Sequence, residues 1–220
     1  MNEALERGLH TNLEYKSKKF KVLEESTDSI YLSVEEIEKI YRIDFTKQLK
    51  NDRVRDLFII GCFTGLRFSD LEKLNEDNFI TNNTQIKIKS EKVGDTVIIP
   101  VHRYVREIFN KYGGKVPKPL SNQKMNEYLK EIAKAAELTE NVLISKTKGG
   151  NKTQESVPKY QLVSTHTARR SFATNLYLAD VPSITIMKIT GHKTEKAFMK
   201  YIRLTQQQSA NKLINHPFFN

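Results

Sequence analysis

Residues Asn51 to Gly65 read NDRVRDLFIIGCFTG. Apolar side chains recur at Val54, Leu57, Phe58 and Phe63, the three-and-four spacing of a helix, and the central LFIIGCF (Leu57–Phe63) has no polar member. A run this short falls well below the roughly 20 apolar residues of a membrane span, so it suits a helix buried inside a globule. Gly65 ends it, since a residue without Cβ takes the left-handed turn that closes a helix.

Reading outward from that helix gives more helices and little strand. On the N-terminal side, LSVEEIEKIYRI opens a helix with a capping box of Ser33 and Glu36 and an apolar stripe of Ile37, Ile40 and Tyr41. On the other side, FSDLEKL makes a short helix. TQIKIKS and DTVIIP then alternate as two strands around EKVGD, which predicts a hairpin with Lys92 at its tip. Helices follow over about His102–Tyr112 and Asn122–Ala136. VLISKTKGGNKTQESVPKYQL fits a second hairpin or a long basic loop equally well. Three short helices, THTARRSFATNLYLA, SITIMKIT and EKAFMKYIR, are punctuated by Pro182 and Gly191. There are no internal repeats and no low-complexity segments. The expected fold is mainly α with a small antiparallel β-sheet or hairpins (α+β).

Composition narrows the function. The 220 residues hold one cysteine, Cys62, inside the apolar run, which rules out a disulfide framework or a zinc knuckle and points to a reducing, cytoplasmic setting. No segment has the length of a membrane span, so no membrane partner is expected, and the N-terminus carries no signal-peptide core. Thirty-six Lys and Arg against 26 Asp and Glu leave a formal charge of +10, which favours a polyanionic partner through counterion release. The excess is concentrated late in the chain, at Arg169, Arg170, Lys188, Lys193, Lys196, Lys200 and Arg203. Such clustering favours nucleic acid over an ordinary solvated surface.

Breaking a DNA strand needs charge stabilisation on the phosphate, an in-line nucleophile and a proton for the departing sugar oxygen. Each of these has a candidate. HTARR places His166 and Arg169 on one face of a helix near its N-terminus, where phosphate is attracted. TGLRFSDL puts Arg67 just past the Gly65 turn, with Asp70 three residues on. GHKTEKAFMKYI holds His192 and, nine residues later, Tyr201. Taken singly, each has an ordinary explanation: a surface arginine, a solubilising hairpin lysine, or a tyrosine packing with Phe198 and Ile202.

Taken together, TGLRFSDL, KVGDTVIIP, HTARR, and ITGHK followed by Tyr201 resemble the signature boxes of the tyrosine recombinases (phage-type integrases), in order, and most nearly those of bacterial mobile elements. The resemblance runs from about Tyr31 to Arg203. It implies that Arg67 and Arg169 clamp the scissile phosphate and that Lys92 is the general acid. By the same resemblance His166 handles the tyrosine proton and orients the phosphate, His192 donates to a non-bridging oxygen, and Tyr201 is the nucleophile. Asp70 stands where an acidic residue, commonly glutamate, buttresses the site. The implied partners are double-stranded DNA and three further copies in a synaptic homo-tetramer, with a monomer when free. Neither a phosphate-binding loop nor an H-E-x-x-H motif is present, so neither a cofactor nor a metal is expected.

The implied division is a catalytic domain over 30–203, a tail over 204–220 that packs on a neighbour or caps its own domain, and residues 1–29 as a linker. That linker, with Lys16, Lys18, Lys19 and Lys21, reads as the end of an N-terminal core-binding domain outside this chain. Two other readings use the same residues: a type IB topoisomerase-like nicking-closing enzyme, and a non-catalytic helix-turn-helix-like module around Asp180–Pro182.

Overall fold

The computed structural model describes residues 1–17, 29–91, 94–148, 151–202, 204, 206–214 and 218–219. Lys92, Arg203 and the lysines at 18, 19 and 21 lie outside the described residues.

A five-residue helix, α1 (Asn2–Glu6), buries none of its residues. The packed part begins with α2 (Val34–Tyr41), capped as the sequence predicts: the Ser33 Oγ accepts from the Glu36 N–H, and the Glu36 carboxylate accepts from the Ser33 N–H. Next comes α3 (Leu49–Thr64), in which every residue from Val54 to Cys62 is buried. Three charged residues of its first half, Asp52, Arg55 and Asp56, are buried too, and they are paired. Arg55 donates to Asp56 at 2.6 Å and to the carbonyls of Tyr41 and Ile43 at 2.6 and 2.8 Å, while Lys111 reaches Asp56 at 2.7 Å. Pairing of this kind is what makes buried charge tolerable. Gly65 closes the helix at φ +64°, and the short α4 (Phe68–Leu71) follows at once.

The sheet has three strands, β1 (Phe79–Ile80), β2 (Gln85–Lys89) and β3 (Thr96–Pro100), all antiparallel in the order β1-β2-β3. The β2–β3 register pairs Ile86 with Ile99 and Ile88 with Val97. These four face the core, while Lys87, Lys89 and Ile98 face outward, the period-two alternation of a half-buried sheet. Two helices come next, α5 (Arg103–Lys111) and α6 (Asn122–Ala135). The segment left open between hairpin and loop is a hairpin, β4 (Asn141–Lys148) paired with β5 (Asn151–Pro158).

The last third of the chain carries α7 (Thr165–Leu178), α8 (Ser183–Thr190), α9 (Glu195–Tyr201) and α10 (Gln206–Ile214). The helix α7 covers nearly all of the THTARRSFATNLYLA segment, 14 residues, and the polar stretch after residue 205 is helical as well. The helix α7 lies tightly against α3. A Cβ added at Gly61 would come 3.1 Å from the Ala168 Cβ, and one at Gly65 would stand 2.3 Å from the Phe172 ring. Real Cβ atoms are not found at the second distance, so Gly65 serves both turn and packing. Thr165 N–H donates to Asn126 Oδ1 at 2.9 Å and fixes the start of α7 on α6.

The buried side chains form a large cluster centred on α3 and a small one of Ala173, Ile186, Met187, Phe198 and Ile202 under α7–α9. No helix among the described residues is long and apolar enough to cross a membrane.

Candidate active site

The close crossing of α3 and α7 determines where the charged groups meet. Arg169, one turn into α7, is only 5% exposed, and its Nη1 donates to the Gly65 carbonyl at 2.5 Å. That carbonyl belongs to the turn that leads into Arg67, the residue preceding α4. Arg67 extends the other way: its Nη1 donates to Ser90 Oγ at 3.1 Å and its Nη2 to the Thr190 carbonyl at 3.5 Å.

Asp70 supports this arrangement from beneath. It is 3% exposed, and its two carboxylate oxygens accept from Ser90 Oγ at 3.2 Å and from the Glu91 N–H at 2.9 Å. It thereby fastens the end of β2, and the hairpin turn just beyond, to α4. Ser90 links Asp70 and Arg67, accepting from one and donating to the other. A small cavity lined by Arg67, Asp70, Ser90, Asp95, Arg169 and Lys188 lies at this junction.

His192 enters from the far side. Gly191 ends α8 at φ +61°, and the turn returns His192 N–H to the Met187 carbonyl at 3.1 Å. Its Nδ1 lies 2.8 Å from Thr190 Oγ1, and its ring centroid is 4.9 Å from that of Tyr201. Tyr201 is the last residue of α9. Its ring packs on the small cluster beside Phe198, so the ordinary packing expected from its spacing is observed. Its hydroxyl is buried and closes no hydrogen bond of good geometry among the described residues, although Arg169 lies near enough to act on it. The guanidinium carbon of Arg170 sits 4.7 Å from the ring centroid.

These placements shape the titration of the site. Burial pushes Arg169 down to about 10, and the charge of Arg67 adds to the shift. Arg169 therefore stays charged at neutral pH, beside a second arginine that repels it, which makes the pair a ready site for an anion. Burial pushes His192 down to about 4, with Arg169 and Arg67 contributing, so the free ring is neutral at pH 7. Burial raises Tyr201 above the usual phenol value, while Arg169, Arg170 and Arg67 pull the other way. A group that develops negative charge on attack would gain from those three cations in the transition state.

Five of the seven residues singled out by sequence therefore converge: Arg67, Asp70, Arg169, His192 and Tyr201. His166 stands on the first turn of α7, one turn before Arg169, with its side chain exposed. Lys92 is outside the described residues, two positions beyond Ser90. Sequence reasoning missed Ser90 and Thr190, and it counted Arg170 only towards the basic patch. An arginine next to Arg169 on a helix that also carries His166 was a usable signal. The roles of Ser90 and Thr190 depend on tertiary contacts that have no sequence signal.

No match was found among curated proteins. Among solved structures, the XerA recombinase superposes with a TM-score of 0.63 at 15% identity, over 92% of this chain and 71% of that one. A lambda integrase (75–356) dimer bound to a COC′ core site gives 0.63 at 18% identity, over 92% and 68%. The Tn1549 transposon integrase (aa 82–397) in complex with circular intermediate DNA gives 0.61 at 17% identity, over 96% and 74%. At these identities the likeness establishes the fold, that of a tyrosine recombinase catalytic domain. The sequence itself matches the phage integrase family over residues 31–208. The chain belongs to that family, the tyrosine recombinases.

Proposed function

We propose that residues 30–203 form a catalytic domain that cuts and rejoins duplex DNA at specific sites. Tyr201 attacks a scissile phosphodiester to give a 3′-phosphotyrosyl ester, and a 5′-hydroxyl then displaces the tyrosine to complete strand exchange. One observation carries the reading: the Tyr201 hydroxyl is buried without a good hydrogen bond, in the field of three arginines and against the His192 ring. A tyrosine that only packed a helix would direct its hydroxyl to water or to a settled partner.

Each residue then has a task. Arg67 and Arg169 hold the phosphate oxygens, with forks that match them two at a time. Asp70 and Ser90 hold Arg67. Lys92, outside the described residues, protonates the leaving 5′-oxygen. His166 orients the phosphate, and His192 binds a non-bridging oxygen. The ester conserves the energy of the phosphodiester, so rejoining draws on no ATP. The proposed partners are double-stranded DNA and, in the synaptic complex, a homo-tetramer; a solved relative is a lambda integrase tetramer bound to a Holliday junction.

The test is incubation with a nicked suicide duplex carrying the element's end sequence, scored for a protein–DNA adduct. The intact chain should trap the adduct. Tyr201→Phe should give none while binding DNA within a few-fold, because only the attacking oxygen is lost. The Phe variant should also stay folded, since the hydroxyl it removes closes no good hydrogen bond. An adduct formed by the Phe variant would return Tyr201 to a packing role.

A further inference from the structure

The carboxylate oxygens of Asp70 accept from Ser90 Oγ at 3.2 Å and from the Glu91 N–H at 2.9 Å, and among the described residues neither pairs with Arg67. Ser90 stands between the two charges and is 6% exposed. Its hydroxyl has one proton to give. A guanidinium can only donate and an ionised carboxylate can only accept, so the direction of the bridge is fixed. Arg67 Nη1 donates to Ser90 Oγ at 3.1 Å, and Ser90 passes its own proton towards Asp70. The backbone that carries the hydroxyl is held as well, because Ser90 N–H donates to the Asp95 carbonyl at 2.9 Å and Gly94 N–H donates to the Ser90 carbonyl at 2.8 Å. The other fastening of Arg67 is a long bond, 3.5 Å from Nη2 to the Thr190 carbonyl. Without the Ser90 hydroxyl the guanidinium would keep that bond alone, and the Asp70 charge would lose its connection to it.

We propose that Ser90 is a positioning residue that sets the orientation of the Arg67 fork, a bridge made necessary by the short side chain of Asp70. The proposal rests on the cleavage reading given above. Two of the five N–H groups of Arg67 are taken by Ser90 and Thr190, which leaves three for a phosphate. A fork held at both Nη atoms meets two phosphate oxygens together, whereas one free to turn meets them singly and at poorer angles. Ser90 therefore acts through the phosphate clamp and not through delivery of a proton to the leaving oxygen. Asp70 and Ser90 form a single unit in this arrangement. A glutamate at position 70 carries its oxygens further by one C–C bond, about 1.5 Å, into the place that the Ser90 hydroxyl holds. From there a carboxylate bonds Arg67 directly, so lengthening the acid makes the serine dispensable.

The test is single-turnover adduct formation on the suicide duplex at saturating DNA, with thermal melts and DNA binding measured alongside. Ser90→Ala should cut roughly tenfold more slowly with DNA affinity within about twofold, the loss expected of a misplaced group. Ser90→Thr, which keeps the hydroxyl, should restore the rate. The same slowing should persist on a duplex whose scissile 5′-oxygen is replaced by sulfur, a leaving group that departs without a proton from an acid. Asp70→Glu combined with Ser90→Ala should recover most of the loss. In the free protein, nitrogen-15 NMR of arginine-labelled full chain should show the Nη groups of Arg67 turning slowly, and faster in Ser90→Ala, with the signals assigned by their loss in Arg67→Lys. A native rate in Ser90→Ala overturns the proposal, and so does a slowing that vanishes on the sulfur duplex or a double variant as slow as Ser90→Ala. If the unaltered chain traps no adduct, the cleavage reading fails, while the spectrum of the free protein still decides whether Ser90 holds Arg67.

Discussion

The guanidinium of Arg170 lies over the ring of Tyr201, its central carbon 4.7 Å from the ring centroid. The contact involves the residue next to the buried Arg169, so consecutive arginines on α7 have different duties, one towards the proposed phosphate site and one towards the tyrosine. A cation over an aromatic face holds the ring as well as biasing its ionisation.

Arg170→Ala should therefore slow adduct formation by about fivefold, the equivalent of about 1 kcal/mol for a half-buried cation–π contact. Arg170→Lys should recover part of the loss, since an ammonium keeps the charge but not the flat stack. Single-turnover cleavage at saturating DNA measures both. A native rate in the Ala variant would show that the stacking has no role in holding Tyr201.

The arginine pair predicts a sharper loss. Arg67→Lys and Arg169→Lys should each reduce cleavage by roughly a hundredfold, because a point charge does not reproduce two-pronged phosphate contact. Their thermal melts should differ. Arg169 is 5% exposed and donates to the Gly65 carbonyl, so its replacement also unsettles the α3–α7 crossing and should lower the Tm. Arg67 is itself only half-buried, and its bonds to Ser90 Oγ and the Thr190 carbonyl are long, 3.1 and 3.5 Å, so its replacement should lower the Tm much less. If either lysine variant cleaves at the native rate, that arginine is not a clamp.

His192 makes stability depend on pH in a definite direction. Its folded pKa of about 4 lies below the ordinary histidine value of about 6.5, so the unfolded chain takes up the proton first. The stability this contributes is fully present above about pH 6.5 and is lost as pH falls towards 4. The Tm of the native chain should drop more across that window than the Tm of His192→Gln, and the difference between the two curves isolates this residue. Parallel curves would mean that the ring is not held neutral by burial and the two arginines.

How much of this was legible depended on whether a residue acts through its neighbours in sequence or through distant ones. Ser33 with Glu36, and Gly65 after its apolar run, are local signals, and both elements formed as expected. The β4–β5 hairpin stayed ambiguous because KTKGGNKTQES is polar on both faces and has no alternation to read. β1 is two residues long, too short for any pattern, and α10 builds a helix from glutamines with no apolar stripe. In the site, the arginines, His192 and Tyr201 were found because the family motif spaces them in order. Ser90 acquires its place only when β2 is laid beside α4, twenty positions from Asp70 in sequence. Thr190 looked like one more small residue before Gly191 until the α8 turn brought it against the His192 ring.

The tail gives the last prediction. Helix α10 is tied to the body where Gln208 donates to the Tyr31 hydroxyl, yet Leu213, Ile214, Phe218 and Phe219 are 46%, 60%, 81% and 60% exposed. Four apolar side chains held out in water contribute little to folding in this chain but offer anchors for another surface. Deleting residues 213–220 should therefore leave the Tm of the isolated protein within about 1–2 °C, well below the 2–4 °C that a 1 kcal/mol loss produces in a protein of this size. Cleavage of a single site should persist, while recombination between two sites, which needs neighbouring copies engaged, should fall at least tenfold. A clear drop in the Tm of the monomer would instead mean that these residues cap their own domain.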